Sequence, residues 1–568
     1  MKNAWKAPLA GALLVLLTVT AYLPALHGGF IWDDDFYVTE NPTLRSLRGL
    51  ESIWLKPGAT SQYYPLVFTS FWAEYHLWGL QPFGYHLVNI LLHAVNAVLL
   101  WRMLRRLGIA GSWWVAAIFA LHPVNVESVA WVTERKNTLS GIFYLLSALA
   151  WLRFRPLTAW EKSRAPDWRF YSLALGLFVC ALFSKTVTCS LPAVLILLIW
   201  WKTGRLEKRD GLTLAPWFVL GAASGFMTRW MEQRLVANGA EWELSFVQRC
   251  LIAGRALWFY AGKLCWPSHL TFIYPRWEID TGAVWQYSFP LAALVVLVTL
   301  WFLRTRIGKG PLVAVLFFVV TLAPALGFVN VYPFRYSYVA DHFQYLASIG
   351  LITLAVSAGA AVFQRASQRN RELGTLTAAT VLLLLGTATW GQAHAYHDLE
   401  TLWRDTLAKN PDAWLAHNNL GTVLRQAGRP EDAIGHFGQA LRIKPDLAEA
   451  QYNLGVTLAQ LDRTQEAIGH YGQALRLKPD FAEAHYNLGV ALAESGRIPE
   501  AMEHWEQALR LNPDYAEAHF NLGLMLAAQG KTTEASEHYH KALELANRKG
   551  NTTLANAVRS IMMDEAPQ

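Results

Sequence analysis

The sequence predicts an all-α protein, a polytopic membrane bundle of helices followed by an α-solenoid. Three observations predict this fold class. Hydrophobic residues make up 53% of the 568 residues and charged residues only 16%, which is too apolar for an ordinary soluble chain. The apolar excess ends near residue 393. The remainder is rich in Ala, Glu, Asn and His and repeats with a regular period.

About eleven segments before residue 393 are long and apolar enough to be read as membrane spans, each close to the roughly 20 residues that a span needs. They are residues 8–27, 86–101, 112–130, 138–152, 170–184, 186–201, 213–230, 285–303, 311–329, 346–363 and 374–392. We predict two short spans in 170–201, turning at "SKTVTC", rather than one long tilted span. The N-terminus resembles a signal peptide, but its long apolar run and the stretch "LPALHGG" favour an uncleaved first span.

Basic residues fall in alternate short loops between these spans and therefore predict the orientation. They are Lys2, Lys6, Arg102, Arg105, Arg106, Arg153, Arg155, Lys162, Arg164, Lys202, Arg205, Lys208, Arg209, Arg304, Arg306, Lys309, Arg365, Arg369 and Arg371. Cytoplasmic loops carry such an excess of Lys and Arg, so these loops and the N-terminus are predicted to be cytoplasmic. An odd number of spans then places the C-terminal part on the periplasmic side of the inner membrane. Residues 246–264 carry three basic residues at helical spacing, which favours an amphipathic helix in the outer interface.

The C-terminal part repeats every 34 residues from Ala413, as in "FAEAHYNLGVALAESGRIPEAMEHWEQALRLNPD". The period and pattern look like tetratricopeptide repeats, which are helix-turn-helix units that stack into a superhelix. A glycine in each first helix allows close approach of the second: Gly421, Gly455, Gly489 and Gly523. A proline stops each second helix: Pro411, Pro445, Pro479 and Pro513. We predict four repeats over 413–548, a half-repeat over 394–412 that joins the last span to the array, and a cap and tail over 549–568.

An asparagine recurs on the first helix of each repeat. These residues are Asn419, Asn453, Asn487 and Asn521. First helices line the concave surface of such superhelices, and a carboxamide offers both a donor and an acceptor to the backbone of an extended peptide. The ladder therefore predicts a peptide-binding surface, similar to the asparagine ladder of the O-GlcNAc transferase family. Alternatively, the asparagines satisfy only neighbouring helix groups.

Five outward stretches carry polar residues beside predicted spans, where a charge is costly. They are "WDDDFYVTENP" with Asp33, Asp34 and Asp35; the 64–93 region with Tyr64, His86, Asn89 and His93; "LHPVNVESVAWVTERKN" with His122, Glu127, Arg135 and Lys136; "FSKTVT" with Lys185; and "NVYPFRYSYVADHFQYLASIG" with Arg335, Tyr338, Asp341, His342 and Tyr345.

On the predicted topology all five stretches meet at one face of the membrane, and their chemistry suggests a lipid-phosphate substrate. Arg and Lys would hold a phosphate leaving group as it gains charge, and a carboxylate would take the proton of an attacking hydroxyl. Structural alternatives stay open. His86, Asn89 and His93 could bond neighbouring helices. "HPVNVES" could be a helix-breaking turn, and Lys185 could extend to the interface.

Together, "FIWDDDFYVTENP", "HPVNVESVAWVTERKNTLSGIFYLLS", "LFSKTVTCSLP" and "FRYSYVADHFQYLASIG", followed by the repeats, resemble the transmembrane and TPR repeat-containing (TMTC-type) O-mannosyltransferase family and its bacterial relatives. The resemblance runs from about residue 20 to 540. It implies a GT-C fold over 1–393 and inverting sugar transfer from a polyprenyl-phosphate monosaccharide, without a required metal or other cofactor. It also implies that Asp33 and Asp34 are catalytic, with Asp33 as general base and Asp34 orienting the acceptor or partner groups. His342 and Phe343 stand where animal members often have Arg and Tyr, which leaves the sugar and the acceptor open.

The leading hypothesis is therefore a membrane glycosyltransferase. It would transfer a hexose, with mannose favoured, to a Ser or Thr hydroxyl of a protein on the outer face, with the repeats binding the acceptor or a partner. The rivals are a non-enzymatic TPR scaffold for envelope or secretion assembly, and a lipid-linked glycan ligase. The net charge of +7 reflects cytoplasmic loop residues and calls for no nucleic-acid partner.

Overall fold

A computed structural model describes residues 6–157, 167–235, 243–364 and 368–564, and every regular element within these ranges is helical. This confirms the predicted all-α fold class. The chain divides into two compact units, Met1–Asn410 and Pro411–Gln568. The predicted cytoplasmic residues Lys2, Lys162, Arg164 and Arg365 and the last four residues of the predicted tail lie outside the described residues.

The first unit contains sixteen α-helices within the described ranges. They are α1 Lys6–Ala21, α2 Leu47–Leu55, α3 Pro65–Trp78, α4 Pro82–Arg106, α5 Ser112–Leu121, α6 Val126–Ala130, α7 Arg135–Phe154, α8 Trp168–Leu182, α9 Leu191–Thr203, α10 Lys208–Leu235, α11 Phe246–Cys265, α12 Ser288–Leu303, α13 Gly310–Leu322, α14 Ser348–Gln364, α15 Gln368–Ala393 and α16 Leu399–Lys409. Short 3-10 turns at Pro123–Asn125, Val132–Glu134 and Asp341–Gln344 bring polar residues between the helices.

Five helical segments of the described chain are long and apolar enough to cross a membrane: Pro82–Arg106, Thr186–Thr203, Lys208–Met231, Val284–Leu303 and Glu372–Tyr396. Five shorter apolar helices accompany them: Ala7–Ala21, Ser112–Leu121, Trp168–Leu182, Gly310–Ala325 and Ser348–Phe363. These ten segments overlap ten of the predicted spans, but the predicted span 112–130 is not one continuous helix, because α5 ends at Leu121 and Pro123 begins a 3-10 turn. The remaining one, 138–152, falls within α7, which begins with two basic residues.

Two of the ambiguous segments resolve into defined helices. Residues 170–201 form two helices, α8 and α9, with a 3-10 turn at Thr186–Ser190 between them, as the sequence favoured. Residues 246–264 form α11, whose start is fixed by a capping box between Ser245 and Gln248. Its location in the outer interface stays a prediction.

The polar face of α4 serves packing inside the bundle. His93 lies 2.8 Å from the Tyr345 hydroxyl and 3.1 Å from the Ala120 carbonyl oxygen. Asn89 donates to the Trp131 carbonyl oxygen at 3.1 Å, and His86 lies 3.3 Å from the Gly29 carbonyl oxygen. Buried polar groups need such partners, so the helix-bonding alternative describes these three residues.

The second unit consists of four helix pairs and a final helix. They are α17 Trp414–Gln426 with α18 Pro430–Ile443, α19 Ala448–Ala459 with α20 Thr464–Leu477, α21 Ala482–Glu494 with α22 Ile498–Leu511, α23 Ala516–Ala528 with α24 Thr532–Lys549, and α25 Thr552–Asp564. The repeat glycines explain the close pairing. A Cβ on Gly421 would lie 2.7 Å from the Phe437 ring, and one on Gly489 would lie 2.5 Å from the Trp505 ring. In each pair, an aromatic side chain of the second helix therefore packs directly against the glycine of the first helix, where a larger residue would not fit.

Candidate active site

Asp34 is buried and anchors the loop of residues 28–35, which carries the three aspartates and is called the acidic loop. One carboxylate oxygen accepts a hydrogen bond from the backbone N–H of Ile31 at 2.9 Å. The other accepts from the backbone N–H of Thr133 at 2.8 Å and from its hydroxyl at 2.6 Å. Burial raises the pKa of Asp34 to about 7, and the charge of Asp33 acts in the same direction. The hydrogen bonds from Ile31 and Thr133 oppose this rise. The role of Asp34 in this structure is thus to bind the acidic loop to the 132–134 turn.

Asp33 differs from its neighbour because its carboxylate makes no hydrogen bond or ion pair with any described residue. It is half-buried. Burial raises its pKa to about 6, and Lys136 opposes this effect. The charge of Glu134 raises the pKa of Asp33 further and the charge of His342 lowers it, so Asp33 lies within electrostatic range of both residues. A partly desolvated carboxylate with a pKa near neutrality has the properties of a general base.

Trp32 explains how adjacent acids reach different surroundings. Its backbone adopts a φ of +50°, in the left-handed region that non-glycine residues rarely occupy. The chain turns there, so that Asp34 binds the 132–134 turn while Asp33 stays unbonded. Asp35 opens a short π-helix, is exposed, and accepts a hydrogen bond from the Thr39 hydroxyl at 3.0 Å.

Glu134 lies between the side chains of Lys136 and Lys185, and these residues form a cationic cluster. One of its carboxylate oxygens lies 2.9 Å from the Lys136 ammonium, and the other lies 3.2 Å from the Lys185 ammonium. Asn137 ties the pair together, since it donates to Glu134 at 2.6 Å and accepts from Lys185 at 2.8 Å. Burial would raise the pKa of Glu134, but His342, Lys136 and Lys185 hold it well below its usual range. The glutamate is therefore an anion that orients two cations.

His342 and Glu127 form the next part of the same cluster. Glu127 accepts the backbone N–H of His342 at 2.8 Å, and its other oxygen lies 3.0 Å from the imidazole Nδ1. The imidazole Nε2 lies 3.9 Å from Glu134. Asp341 lies beside His342 and accepts the Tyr274 hydroxyl at 3.0 Å. Burial and the charge of Glu127 raise the pKa of Asp341 well above its usual range.

The remaining predicted site residues lie in other surroundings. Arg135 is fully buried in an ion pair with Glu74 and also donates to Asn89 and to the Tyr85 carbonyl oxygen. His122 lies 3.1 Å from the Leu264 carbonyl oxygen.

The stretch around residue 335 contributes an aromatic wall. Tyr338 packs against Trp277 and Phe334. Tyr336, the residue after Arg335, packs edge-to-face against Trp32 with ring centroids 6.5 Å apart, and the charge of Asp33 acts on its hydroxyl. The structure thus brings Asp33, Asp34, Glu127, Lys136, Lys185 and His342 into one cluster around the 132–134 turn.

Sequence reasoning passed over Glu134, although it lies in the "TERKN" stretch beside two residues that were singled out. The available signal was the run of three consecutive charges next to an apolar segment. Such charges are costly unless they pair, and Glu134 supplies the anion that Lys136 and Lys185 share. Asn137, in the same stretch, is a second site residue that the sequence did not indicate.

The repeat asparagines of the second unit form a partly bonded ladder. Asn453 donates to the Asn418 side chain at 3.1 Å, and Asn487 donates to the Tyr452 hydroxyl at 2.9 Å. Asn521 donates to the Tyr486 hydroxyl at 3.4 Å, and Asn419 accepts from Asn418 at 3.2 Å. Each of these bonds uses only part of the capacity of the carboxamide, so both interpretations of the ladder remain compatible with it.

These features define a class of protein: a chain whose described elements are all helical, with helices long and apolar enough to cross a membrane and a C-terminal array of tetratricopeptide repeats. Models of this repeat match residues 412–480, 490–530 and 516–547. The chain resembles the TMTC family of protein O-mannosyl-transferases over three quarters of its length. It is 23% identical over 466 residues to "Protein O-mannosyl-transferase F38B6.6" of Caenorhabditis elegans and 26% identical over 500 residues to human "Protein O-mannosyl-transferase TMTC1".

The match covers 76% of this chain in both cases, and 62% and 55% of the respective relatives. The chain thus spans little more than half the length of these relatives. Among solved structures, the crystal structure of MamA is 28% identical, with 27% of this chain and 89% of that chain covered and a TM-score of 0.25. The TPR protein YrrB is 22% identical, with 35% and 97% covered and a TM-score of 0.25.

Proposed function

We propose that this protein is a multi-pass inner-membrane glycosyltransferase. It transfers a hexose, with mannose favoured, from a polyprenyl-phosphate sugar to a Ser or Thr hydroxyl of a protein. The reaction takes place on the periplasmic face, where the repeats also lie, and the N-terminus is cytoplasmic. The observation that carries the proposal is the unbonded Asp33 carboxylate, on whose pKa the charge of Lys136 acts, together with the Glu134 carboxylate that holds the Lys136 and Lys185 ammonium groups at 2.9 Å and 3.2 Å.

The proposed transfer is a single displacement. The acceptor hydroxyl oxygen attacks C1 of the sugar from the side opposite the phosphate, and its proton passes to the Asp33 carboxylate. The bond between C1 and the phosphate oxygen breaks, and its electron pair leaves with the polyprenyl phosphate. Attack from the opposite side inverts the configuration at C1. Lys136 and Lys185 neutralise the charge that develops on the phosphate.

The proposal includes no metal ion, because the two lysine ammonium groups supply the positive charge that the leaving phosphate needs. We therefore expect the rate of transfer to be the same with and without EDTA. A loss of transfer in EDTA that Mg²⁺ or Mn²⁺ restores would contradict this part of the proposal and leave the role of Asp33 standing.

The repeats are proposed to bind the protein acceptor or a partner. The carboxamide oxygens of Asn453, Asn487 and Asn521 accept no hydrogen bond from any residue within the described ranges, and each lies on the first helix of its repeat. These oxygens are free to accept backbone N–H groups of an extended chain.

The deciding experiment compares Asp33→Asn with Asp35→Asn. Both changes replace an acid by an amide in the same loop, but Asp35 is exposed, and Thr39 is the hydrogen-bond partner of its side chain among the described residues. The assay follows sugar transfer from polyprenyl-phosphate mannose to protein in detergent. We expect Asp33→Asn to lower the rate by about 10²- to 10⁴-fold, the usual contribution of a general base, and Asp35→Asn to leave it within about twofold. Full activity of Asp33→Asn would refute the proposed mechanism.

Two other functions remain as outcomes of related experiments. If Asp33→Asn is silent in the cell while deletion of 413–568 abolishes the phenotype, the protein is a scaffold. If a deletion strain shows mass changes in its envelope polysaccharide and none in its envelope proteins, the acceptor is a glycan and the protein acts as a ligase.

A further inference from the structure

The acidic loop contacts residues 396 and 397, which lie between α15 and α16. The backbone N–H of Gly29 donates to the His397 carbonyl oxygen at 2.8 Å. A Cβ on Gly28 would lie 3.3 Å from the Tyr396 carbonyl oxygen. The loop that carries Asp33 is therefore fixed at its start by the residues just before α16.

Trp32 is held by three aromatic side chains. The Trp403 ring lies 5.0 Å from it between centroids, the Phe272 ring 6.1 Å and the Tyr336 ring 6.5 Å. All three contacts are edge-to-face. The closest of them comes from α16, and Trp403 itself is almost completely buried. Aromatic pairs in this arrangement are favourable beyond the burial of their area.

The Trp32 backbone needs this support. A tryptophan in the left-handed region persists only where the surrounding structure determines it. Trp32 is also the residue directly before Asp33, so its φ angle sets the direction in which the Asp33 side chain leaves the chain. Removal of the Trp403 ring opens space beside Trp32 and lets this turn relax.

The helix that carries Trp403 is itself fixed to the first unit. Lys409 donates to the Leu270 carbonyl oxygen at 2.7 Å, and Asn410 donates to the Ile273 carbonyl oxygen at 3.1 Å. Phe272 lies between these anchor points, with its ring centroid 5.6 Å from that of Trp403. The same short segment thus fixes the end of α16 and forms one wall around Trp32.

We propose that Trp403 is a positioning residue for the acidic loop, which holds the left-handed turn at Trp32 so that Asp33 points at the acceptor hydroxyl. This inference rests on the proposed function. It assigns a role in the transfer to α16, the helix from which the chain enters the repeat array.

The test measures the kinetics of Trp403→Ala and Trp403→Phe in the full chain. The assay uses polyprenyl-phosphate mannose as donor, and rates are expressed per monodisperse folded molecule. We expect Trp403→Ala to lower kcat by about 10- to 100-fold with the donor KM within about twofold, since small misplacement of a catalytic group has effects of this order. Trp403→Phe keeps an aromatic edge but fills less of the space beside Trp32, and should lower kcat by about two- to fivefold.

The matched control is Trp151→Ala. Trp151 is as buried as Trp403, but it packs against Phe154 and Trp217. It should lower the melting temperature with kcat per folded molecule unchanged. An equal fall in kcat for the control would show that the Trp403 effect is merely structural and would overturn the proposal.

A double-substitution cycle keeps the inference testable if Trp403→Ala folds poorly. Glycine adopts a positive φ without strain, so Trp32→Gly keeps the turn and removes the ring that Trp403 contacts. In that background Trp403→Phe should change kcat by less than about 1.5-fold. Equal effects of Trp403→Phe in both backgrounds would refute the inference. Failure of the proposed function is distinguishable, because it appears as activity in Asp33→Asn or as no mannose transfer by the unmodified chain.

Discussion

Replacement of Glu134 by Gln tests whether the two lysines act as one phosphate-binding unit. The carboxylate lies 2.9 Å from Lys136 and 3.2 Å from Lys185. At an effective dielectric constant of about 20, Coulomb attraction is about 5 to 6 kcal/mol for each pair. Desolvation offsets much of this, and loss of one partner of a buried pair typically costs about 3 to 5 kcal/mol. We expect the variant to fold with a lower melting temperature.

The effect on donor binding follows from the charge of Lys185. Burial lowers the pKa of this lysine to about 8, and Glu134 is the main group that opposes the fall. Without Glu134 we expect the pKa of Lys185 to fall further, so that a larger share of this lysine is neutral near pH 7 and attracts phosphate less. A hydrogen bond to a charged group contributes about 1.5 to 3 kcal/mol, which corresponds to about a 10- to 150-fold higher donor KM.

The assay determines kcat and KM for polyprenyl-phosphate mannose in Glu134→Gln, Lys185→Met and Glu466→Gln. Glu466 is exposed and, among the described residues, pairs with Arg463 of its own repeat at 2.7 Å, so its replacement controls for the change from acid to amide. We expect Glu134→Gln and Lys185→Met to raise the donor KM to a similar extent and Glu466→Gln to leave it unchanged. A folded Glu134→Gln protein with an unchanged donor KM would refute this reasoning. A lower KM would mean that Glu134 competes with phosphate instead of orienting the lysines.

Two further predictions concern pH and the repeats. Asp33 accepts a proton only when ionised, and its pKa is raised to about 6, so the rate should fall about tenfold per pH unit below pH 6. The rate should decline again above about pH 8, because Lys185 is deprotonated there. A rate independent of pH between 5 and 7 would contradict the role of Asp33. In the repeats, Gly421→Ala places a Cβ 2.7 Å from the Phe437 ring and should destabilise α17 and α18 by about 1 to 3 kcal/mol, whereas Gly435→Ala meets nothing within 4 Å and should stabilise by up to about 1 kcal/mol. Hydrogen exchange of the two helices in the full chain measures both changes, and an equal response at the two positions would contradict this account of the glycines.

The repeat array could be predicted in detail because its contacts are local and periodic. A 34-residue period fixes which helices pair, and the glycine on each first helix follows from the aromatic residue on the second. The break between α8 and α9 was also predictable, since Lys185 interrupts two apolar runs. In each case the deciding residues lie close together in the sequence.

The candidate site could be predicted only in part, because its contacts join distant residues. Thr133 binds Asp34 across 99 residues, and no local pattern indicates that partner. Arg135 and Lys136 are adjacent in sequence, but successive residues of a helix point in different directions. One therefore pairs with Glu74 and the other with Glu134. Composition identified both as cations beside a span, whereas their different roles depend on the packing of α3 and α7.

The three consecutive aspartates have different roles, and this difference explains how three adjacent carboxylates that repel one another are tolerated. Asp34 accepts three hydrogen bonds and fixes the loop. Asp35 is exposed and bonds the hydroxyl of Thr39. Asp33 alone keeps an unbonded carboxylate, in partly desolvated surroundings that raise its pKa to about 6. Replacing Asp34 would release the loop and replacing Asp33 would remove the base, so both changes should lower the rate of transfer strongly. Only the Asp33 variant should keep the loop in place, as measured by hydrogen exchange at the backbone N–H groups of Ile31 and Thr133.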